Sequence, residues 1–569
     1  MGSFRDQMKG FPFRQMTIIC LIRFSEPIAF TSLFPYVYFM IRDFNIVDDP
    51  TEISKYTGYM GASFAFAQFL CCIHWGRLSD RIGRKPVLLL GLLGTMTSLL
   101  IFGFSTNFYM AITARSLMGA LNGNVPVLQT MVGEVVSERR HQSIAFSCLP
   151  LLWNVGCVLG PAIGGSRYLT RPKMPSEDIE VAGAYDRFVS KHPYAMSNIV
   201  VASLLMFSFI VGFLFLEETQ PRAKKNHDYG LAIGDWILRS LGFTPSARSR
   251  ALASKTASTQ QREPSETTPL TADNLYSAVD NDVFDENDED DRSINSYEQP
   301  LTRRTSLAFI RRYSNASLTR TTTNQSVLDE TKDIFKAFGN KNIFSNKVRG
   351  TILAYFCLAF HCLVQSEFLP VFLAGRFQLE SLKFPWHIKG GLSWETSDIG
   401  TLLSTTGFAG CFIIIVVFPF LDRYMRNIDV LRLASLFFPF AYFFIPYMVF
   451  SKPEYQPGFP AWFSTAGIYT CASVQTFAAA LSFPQMVILV YRATVPKHRA
   501  FVNATSMSAT ALARCVAPLL WGGLMSFFDK RGVAQMSWLI LSVIAILTSV
   551  LAFKLDEYDE DLQEQEEEV

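Results

Sequence analysis

The sequence predicts an all-α membrane protein whose twelve spanning helices form two pseudo-symmetric bundles of six. Of its 569 residues, 49% are hydrophobic and only 18% are charged, and the mean hydropathy of +0.21 is unusual for a chain that folds in water. Apolar stretches long enough to cross a ~30 Å hydrocarbon core at ~1.5 Å per residue occur six times before a long polar interval and six times after it. The charges avoid these stretches. Together these observations place most of the chain in lipid and make the bilayer its first partner.

In order, the apolar stretches fall near residues 15–41, 58–76, 86–105, 109–131, 143–165 and 196–216, then 351–374, 397–420, 430–450, 462–490, 501–526 and 534–553. An even number of crossings puts both termini on one side. The basic clusters Arg77–Lys85, Arg139–His141, Arg423–Arg432 and Arg492–Arg499 all fall on that side, and because short cytoplasmic loops collect Lys and Arg, it is expected to be the cytosol. The longer loops 166–195 and 375–396 also carry Lys and Arg but are diluted by acids, where the charge rule is weak. This gives a cytosolic N-terminal tail at 1–14 and a first six-helix bundle at 15–216. A cytosolic linker follows at 217–348, then a second bundle at 349–554 and an acidic cytosolic tail at 555–569. No removable signal peptide precedes the first apolar run, so the first helix acts as its own targeting signal.

The linker is rich in Ser, Thr, Asn, Asp and Arg and holds the acidic run Asp280–Asp291, too little apolar content to fold by itself, so it is expected to be disordered. Within it Tyr229–Phe243, with Trp236, Ile237 and Leu238 beside Arg239, reads as a short amphipathic helix on the membrane surface. Ser306 after Arg303-Arg304 and Ser314 after Arg311-Arg312 fit a basophilic kinase, or are simply serines of a Ser-rich tract.

Between the second and third stretches lies Gly76-Arg77-Leu78-Ser79-Asp80-Arg81-Ile82-Gly83-Arg84-Lys85, a tight, basic turn between membrane helices. It resembles the signature loop of major facilitator superfamily transporters. That resemblance covers the chain apart from the linker and tails, and it implies two parallel repeats of six helices with a substrate cavity between them near the midplane. The repeat is visible here. Asp80-Arg81 with Arg84 is echoed by Asp422-Arg423 with Arg426, and Glu26 precedes Pro35 by nine residues as His361 precedes Pro370. In the loop, the lone acid Asp80 amid Arg77, Arg81, Arg84 and Lys85, flanked by Gly76 and Gly83, is expected to work an inner gate against a helix N-terminus.

The fifth stretch carries Gly156, Gly160, Pro161, Gly164 and Gly165 within ten residues, a composition that disfavours an isolated helix but suits close helix contact in a membrane. It resembles the antiporter motif of the drug:proton branch and implies export. Ordinary helix packing would use the same glycines. Arg115-Ser116-Leu117-Met118-Gly119 in the fourth stretch resembles a third motif in which the Arg takes part in proton transfer, with Met118 where a polar residue is usual. A guanidinium there costs ~2.5–3.5 kcal/mol by insertion scales, so Arg115 either faces a cavity or counter-ion or snorkels to the surface. Arg23-Phe24-Ser25-Glu26-Pro27-Ile28-Ala29-Phe30 and the long linker look like a fungal group of this branch, similar to plant zinc-induced-facilitator-like proteins.

Carboxylates at depth are natural proton carriers. Glu26, one turn from Arg23, is either the coupling carboxylate or half of a structural ion pair, and Glu367 is the alternative carrier. His361, six residues from Glu367 and so on another helix face, is a satisfied core histidine or a relay. Phe64, Phe66, Phe360, Phe368, Phe477 and Tyr469 are candidate cavity-lining residues. The ten cysteines sit mostly in apolar segments without ligand spacing, so neither metal nor disulfide is expected, and there is no cofactor. A net charge of +2 points to no nucleic-acid partner. No nucleophile triad or phosphate loop marks an enzyme.

The expected activity is therefore proton-coupled export of small organic or xenobiotic compounds by a monomer in the plasma or vacuolar membrane. A nutrient or ion sensor, or a solute uptake porter, on the same fold is the alternative.

Overall fold

A computed structural model describes residues 10–556 other than 137–138, 174–182, 221–222, 226–227, 241–344 and 494–498. Among the described residues the chain crosses twelve times. Helices α1 (Phe13–Thr31) and α2 (Val37–Asp43) make the first crossing, broken by a turn at residues 32–36 that contains Pro35, which can donate no backbone hydrogen bond. Helices α3 (Ile53–Ile82) and α4 (Arg84–Gly103) follow, then α5 (Phe108–Leu121) and α6 (Asn124–Val135), which share the fourth crossing. Trp75 wedges into their break: its indole N–H donates to Ala120 O at 2.6 Å, and a Cβ on Gly123 would lie 2.2 Å from its ring. Helix α7 (Arg139–Gly164), the short loop helix α8 (Ala184–Lys191) and α9 (Ala195–Phe215) complete the first bundle.

The second bundle repeats the plan with α11 (Asn346–Ala374) through α18, after a helix α10 (Tyr229–Ser240) in the linker. Its second crossing joins α12 (Thr396–Phe412) to α13 (Phe418–Tyr424) through a π-turn at Ile413–Val417, just ahead of Pro419; widened turns absorb such a missing donor. Then come α14 (Asn427–Ser435) with α15 (Phe437–Tyr447), α16 (Ala461–Arg492), α17 (Arg499–Lys530) and α18 (Gln535–Lys554). Eight helical segments are long and apolar enough to span by themselves, and the expected crossings all recur within a few residues of their predicted limits.

The spanning helices belong to one unit, Met1–His227 with Thr305–Val569, while Asp228–Arg304 form a second unit. In that second unit α10 presents Tyr229, Ile233 and Trp236 exposed, one helical face at i, i+4 and i+7, as the amphipathic pattern predicts. Ser306, Ser314 and most of the linker and acidic tail lie outside the described residues.

Two helix pairs make most of the contact between the halves, α3 with α17 and α7 with α12, and α11 also touches α2 and α3. We call the membrane side bearing Arg77–Lys85 the basic face and the other the distal face. The halves are fastened distally. Here α3 and α17 touch backbone to backbone, since a Cβ on Gly58 would fall 2.2 Å from Pro518 O and one on Gly522 2.6 Å from Ser54 O. The pair α7 and α12 meets the same way, with a Cβ on Gly165 2.6 Å from Gly400 Cα and one on Gly400 2.7 Å from Pro161 O. Ion pairs reinforce both contacts: Lys530 with Glu52 and Arg167 with Glu395 at 3.2 Å. One hydrophobic core runs through the second bundle into Leu33, Tyr36, Ile53 and Phe102 of the first; another, around Ile19, Leu88 and Met131, fills the first bundle.

Because side chains cannot fit at these crossings, Gly400→Val or Gly522→Val is expected to part the distal seam without unfolding either half. A Ser54→Cys reporter in a background lacking the native cysteines should then react several times faster with a membrane-impermeant maleimide. An unchanged rate would mean that the seam tolerates the wedge.

Candidate functional site

The antiporter-type glycines account for how α1 is held. Along α7, a Cβ on Gly156 would lie 2.5 Å from Pro27 Cβ, on Gly160 2.0 Å from Thr31 Oγ1 and on Gly164 1.7 Å from Ser32 O. Pro27 inside α1 breaks the helical hydrogen-bond ladder, and Thr31 Oγ1 reaches both Pro27 O (2.8 Å) and Gly156 O (3.2 Å). The stripe ends at Pro161 and Gly165 on the other half. Next to it, Ser404 Oγ of α12 donates to Val158 O at 2.8 Å. The glycines thus serve packing within the first bundle and the seam between bundles at once.

Arg23 and Glu26 form an ion pair one turn apart on α1. Both are buried, 9% and 5% exposed, and the guanidinium lies over Trp153 of α7, 5.5 Å from the ring centre. Every partner belongs to the first bundle. The pair is closed on itself.

Arg115 is different. It is 3% exposed, its guanidinium sits 4.7 Å from the ring of Phe64 and 5.9 Å from that of Phe30, and its Nη1 makes a long contact to Met118 sulfur at 3.6 Å. Thus the residue standing at the motif's polar position is itself the contact, a weak one. Nε of Arg115 has no hydrogen-bond partner. The guanidinium forms no direct ion pair among the described residues; its electrostatic neighbours are Glu367 of α11, in the opposite half, and Tyr36. Glu367, 8% exposed, projects at α3: its Oε2 would lie 2.7 Å from a Cβ on Gly61, and Pro518 of α17 flanks the same spot. Tyr36, which the sequence analysis did not single out, is fixed by Asn198, whose amide donates to its hydroxyl at 3.0 Å. Arg115 and Glu367 therefore face the same region of the interface without touching, Arg115 against Phe30 and Phe64 and Glu367 against Gly61 and Pro518 at the α3–α17 crossing.

His361 points elsewhere. Its Nδ1 lies 2.9 Å from Tyr442 Oη, its ring packs edge-on against Phe438 at 4.7 Å, and it is fully buried within the second bundle. Of the aromatic candidates, Phe64 borders the Arg115 site, Phe66 is 53% exposed, and Phe360 and Phe368 are core residues. Phe477 packs on Phe437 at 6.2 Å and Tyr469 on Trp394 at 6.4 Å.

In the basic-face loop, Arg84 reaches Asp80 at 2.5 Å, Ser79 at 3.2 Å and Glu134 of α6 at 3.3 Å. The side chain of Asp80 is 68% exposed. The carboxylate on the α4 N-terminus is not Asp80 but Glu218, which accepts from the N–H groups of Arg84 (2.9 Å) and Lys85 (3.0 Å). Glu134 also accepts from the Thr219 hydroxyl at 2.5 Å, and the Gln220 amide donates to Asp80 O. So residues 218–220, at the start of the predicted linker, tie the gate loop to the end of the first bundle. Gly83 sits at φ +111°, and a Cβ there would also meet Glu218 Oε2 at 2.5 Å; only glycine satisfies both constraints. All ten cysteines are free thiols, and among the described residues no group of three His, Cys, Asp or Glu could hold a metal.

Removing the Glu218 carboxylate uncaps α4, for which helix-end substitutions give about 1–2 kcal/mol. Glu218→Ala should lower the thermal midpoint of the purified protein in detergent, with Glu218→Asp intermediate. An unshifted midpoint would show that water replaces the cap.

Comparison with known proteins agrees with this architecture. The family model described as Major Facilitator Superfamily matches residues 19–384 and 381–569. The chain is 32% identical over 557 residues to the "Major facilitator superfamily multidrug transporter mfsB" of Aspergillus fumigatus, covering 97% of this chain and 85% of that protein. It is 22% identical over 560 residues to "Protein ZINC INDUCED FACILITATOR-LIKE 1" of Arabidopsis thaliana, covering 96% and 94%. "Efflux pump azaK" of Aspergillus niger aligns at 32% identity with 41% of this chain and 46% of that protein. Among solved structures, the nucleoside transporter NupG superposes with a TM-score of 0.55 at 11% identity, covering 95% of this chain and 99% of that one, a likeness of fold. The chain belongs to the Major Facilitator Superfamily.

Proposed function

We propose that this protein exports small organic compounds in exchange for protons, the two bundles rocking about the α3–α17 and α7–α12 crossings with the basic face in the cytosol. The observation that carries the reading is that buried Arg115 of the first half and buried Glu367 of the second lie at one interface and act on each other electrostatically. Parting the halves must either leave two isolated charges at depth, which is costly, or neutralise one of them. Protonating Glu367 does this: it frees the carboxyl from Arg115 without leaving an ionised carboxylate in apolar surroundings. The proton is then bound in one orientation and released in the other, when Arg115 returns. Such a switch ties proton movement to which side is open.

Export as the direction rests on the antiporter-type stripe and on relatives named as a multidrug transporter and an efflux pump. Glu26, the first candidate on sequence, becomes the second. Its partner Arg23 moves with it on the same helix, so rocking alone does not separate the pair, and a structural role suits it better.

In proteoliposomes, Glu367→Gln is expected to abolish accumulation driven by a pH gradient while sparing ligand binding and downhill exchange. Glu26→Gln should keep its dependence on the gradient and lose mainly thermal stability. The reverse pattern would transfer the proton to Glu26, and gradient-independent transport by the unmodified protein would remove proton coupling altogether. The substrate for these assays comes from an efflux screen of a deletion strain against a compound panel.

A further inference from the structure

Among the described residues, three arginines lie inside spanning helices away from both faces: Arg23, Arg115 and Arg514. The carboxylates at comparable depth are Glu26 and Glu367. Arg23 takes Glu26 and Arg115 takes Glu367. Arg514 is left with Tyr355 of α11 and Cys72 of α3 as its electrostatic neighbours, two side chains that are neutral at physiological pH in their ordinary state.

The position of Arg514 gives this surplus charge a meaning. It lies one helical turn from Pro518 on α17, toward the basic face, and Pro518 borders Gly61 and Glu367. Cys72 is on the same α3 face that carries Gly58 and Gly61, three turns further toward the basic face. Arg514 therefore stands in the interface between the halves, flanked by one residue from each. Its side chain is nonetheless exposed, not packed, although α17 is covered by α3 and α11 there. An exposed group between packed helices borders unfilled space. Next to it, Tyr355 offers an aromatic face and a hydroxyl, its ring 6.4 Å from that of Phe483.

We propose that Arg514 is the cargo-anchoring cation of the translocation path, and that the cargo is an organic anion: an aromatic or aliphatic body carrying a carboxylate or similar acidic group. This deepens the exporter reading and rests on it. An exposed guanidinium without a counter-ion, in a cleft walled by low-dielectric protein, sets up a positive field, so the cleft favours a ligand that brings negative charge. A planar carboxylate would take two N–H donors from Arg514, with its apolar body against Tyr355. The site lies on the basic-face side of the Arg115–Glu367 pair. Cargo and proton would thus occupy neighbouring positions on one path, and binding of the anion would raise the positive field's screening close to the coupling pair.

The test reads the local field directly and needs no transport. In full-length protein retaining Cys72 as its single cysteine, the thiol is modified with two methanethiosulfonate reagents of similar size, one carrying a sulfonate and one a trimethylammonium group. The ratio of their rates cancels accessibility and thiolate fraction and leaves the electrostatic term. With Arg514 present, the sulfonate reagent is expected to be favoured, and Arg514→Gln should reduce the ratio about tenfold, the effect of one unit charge in a partly aqueous site. Arg514→Lys should preserve it and serves as the control for folding. Naphthoate should slow the modification severalfold in the protein with Arg514, naphthamide should not, and the difference should vanish in Arg514→Gln.

A ratio that ignores Arg514, equal protection by both naphthyl compounds, or a Cys72 that neither reagent reaches each overturns the proposal. Failure of the exporter reading appears elsewhere, as absence of gradient-driven flux in vesicles. The two outcomes are independent.

Discussion

Charge inside hydrocarbon is the constraint on which the rest of this structure depends. An arginine at mid-membrane is unfavourable by ~2.5–3.5 kcal/mol on insertion scales, so each one dictates what must surround it. Arg23 is satisfied by a neighbour on its own helix and by the face of Trp153, and α1 and α7 are thereby tied by charge as well as by glycine contact. Arg115 has its nearest opposite charge, Glu367, on the other half of the molecule and no direct ion pair with it. That single difference separates an ion pair that stabilises a bundle from one that couples two bundles. The first survives any rigid-body motion of the halves. The second is altered by it, and on the proposed mechanism a proton on Glu367 compensates.

Rocking also needs a surface on which to move, and glycine supplies it. At Gly58–Gly522 and Gly165–Gly400 the halves meet by backbone alone, with no interlocking side chains to withdraw. Contacts of this kind are strong at short range through dispersion and weak hydrogen bonds, yet cheap to slide or hinge. The larger ties at the distal face are ion pairs, Lys530 with Glu52 and Arg167 with Glu395, whose members are partly exposed. Water can take over their solvation as they part, so such pairs contribute little net free energy. The distal face is thus fastened by interactions that hold a geometry without making it irreversible. On the basic face, by contrast, the Arg84 network joins α3, α4, α6 and residues 218–220 within one half, which stiffens the first bundle as a body.

Much of this was legible in the sequence because it is local. Crossing helices follow from apolar length, the basic face from Arg77–Lys85, and the close packing of α7 from glycines spaced at helical intervals. Of the residues singled out in the sequence, Arg23, Glu26, Arg115, Glu367 and His361 are all buried. What sequence could not supply was pairing. Helical periodicity puts His361 and Glu367 on different faces of α11 but is silent on which face meets the other bundle; His361 turned to Tyr442 and Glu367 to Arg115. Glu218 was hidden for the same reason. It looks like the first polar residue after a membrane helix, and only folding brings it onto the N-terminus of α4, where Asp80 seemed better placed.

The charge inventory is where sequence and structure combine to say more than either does alone. The helices place three arginines and two carboxylates away from both faces, an imbalance that the sequence analysis did not draw out. The fold assigns both carboxylates, and the remainder is a guanidinium in the interface with an open side. A cation without a counter-ion at the boundary between the two halves suits a ligand that brings one. On the proposed mechanism Glu367 and Arg514, close in height, differ in what neutralises them: a proton for Glu367, the cargo for Arg514. A transporter working in that way would distinguish its empty, proton-loaded and cargo-loaded forms by net charge in one layer, the layer that rocking of the two bundles would expose to one side or the other.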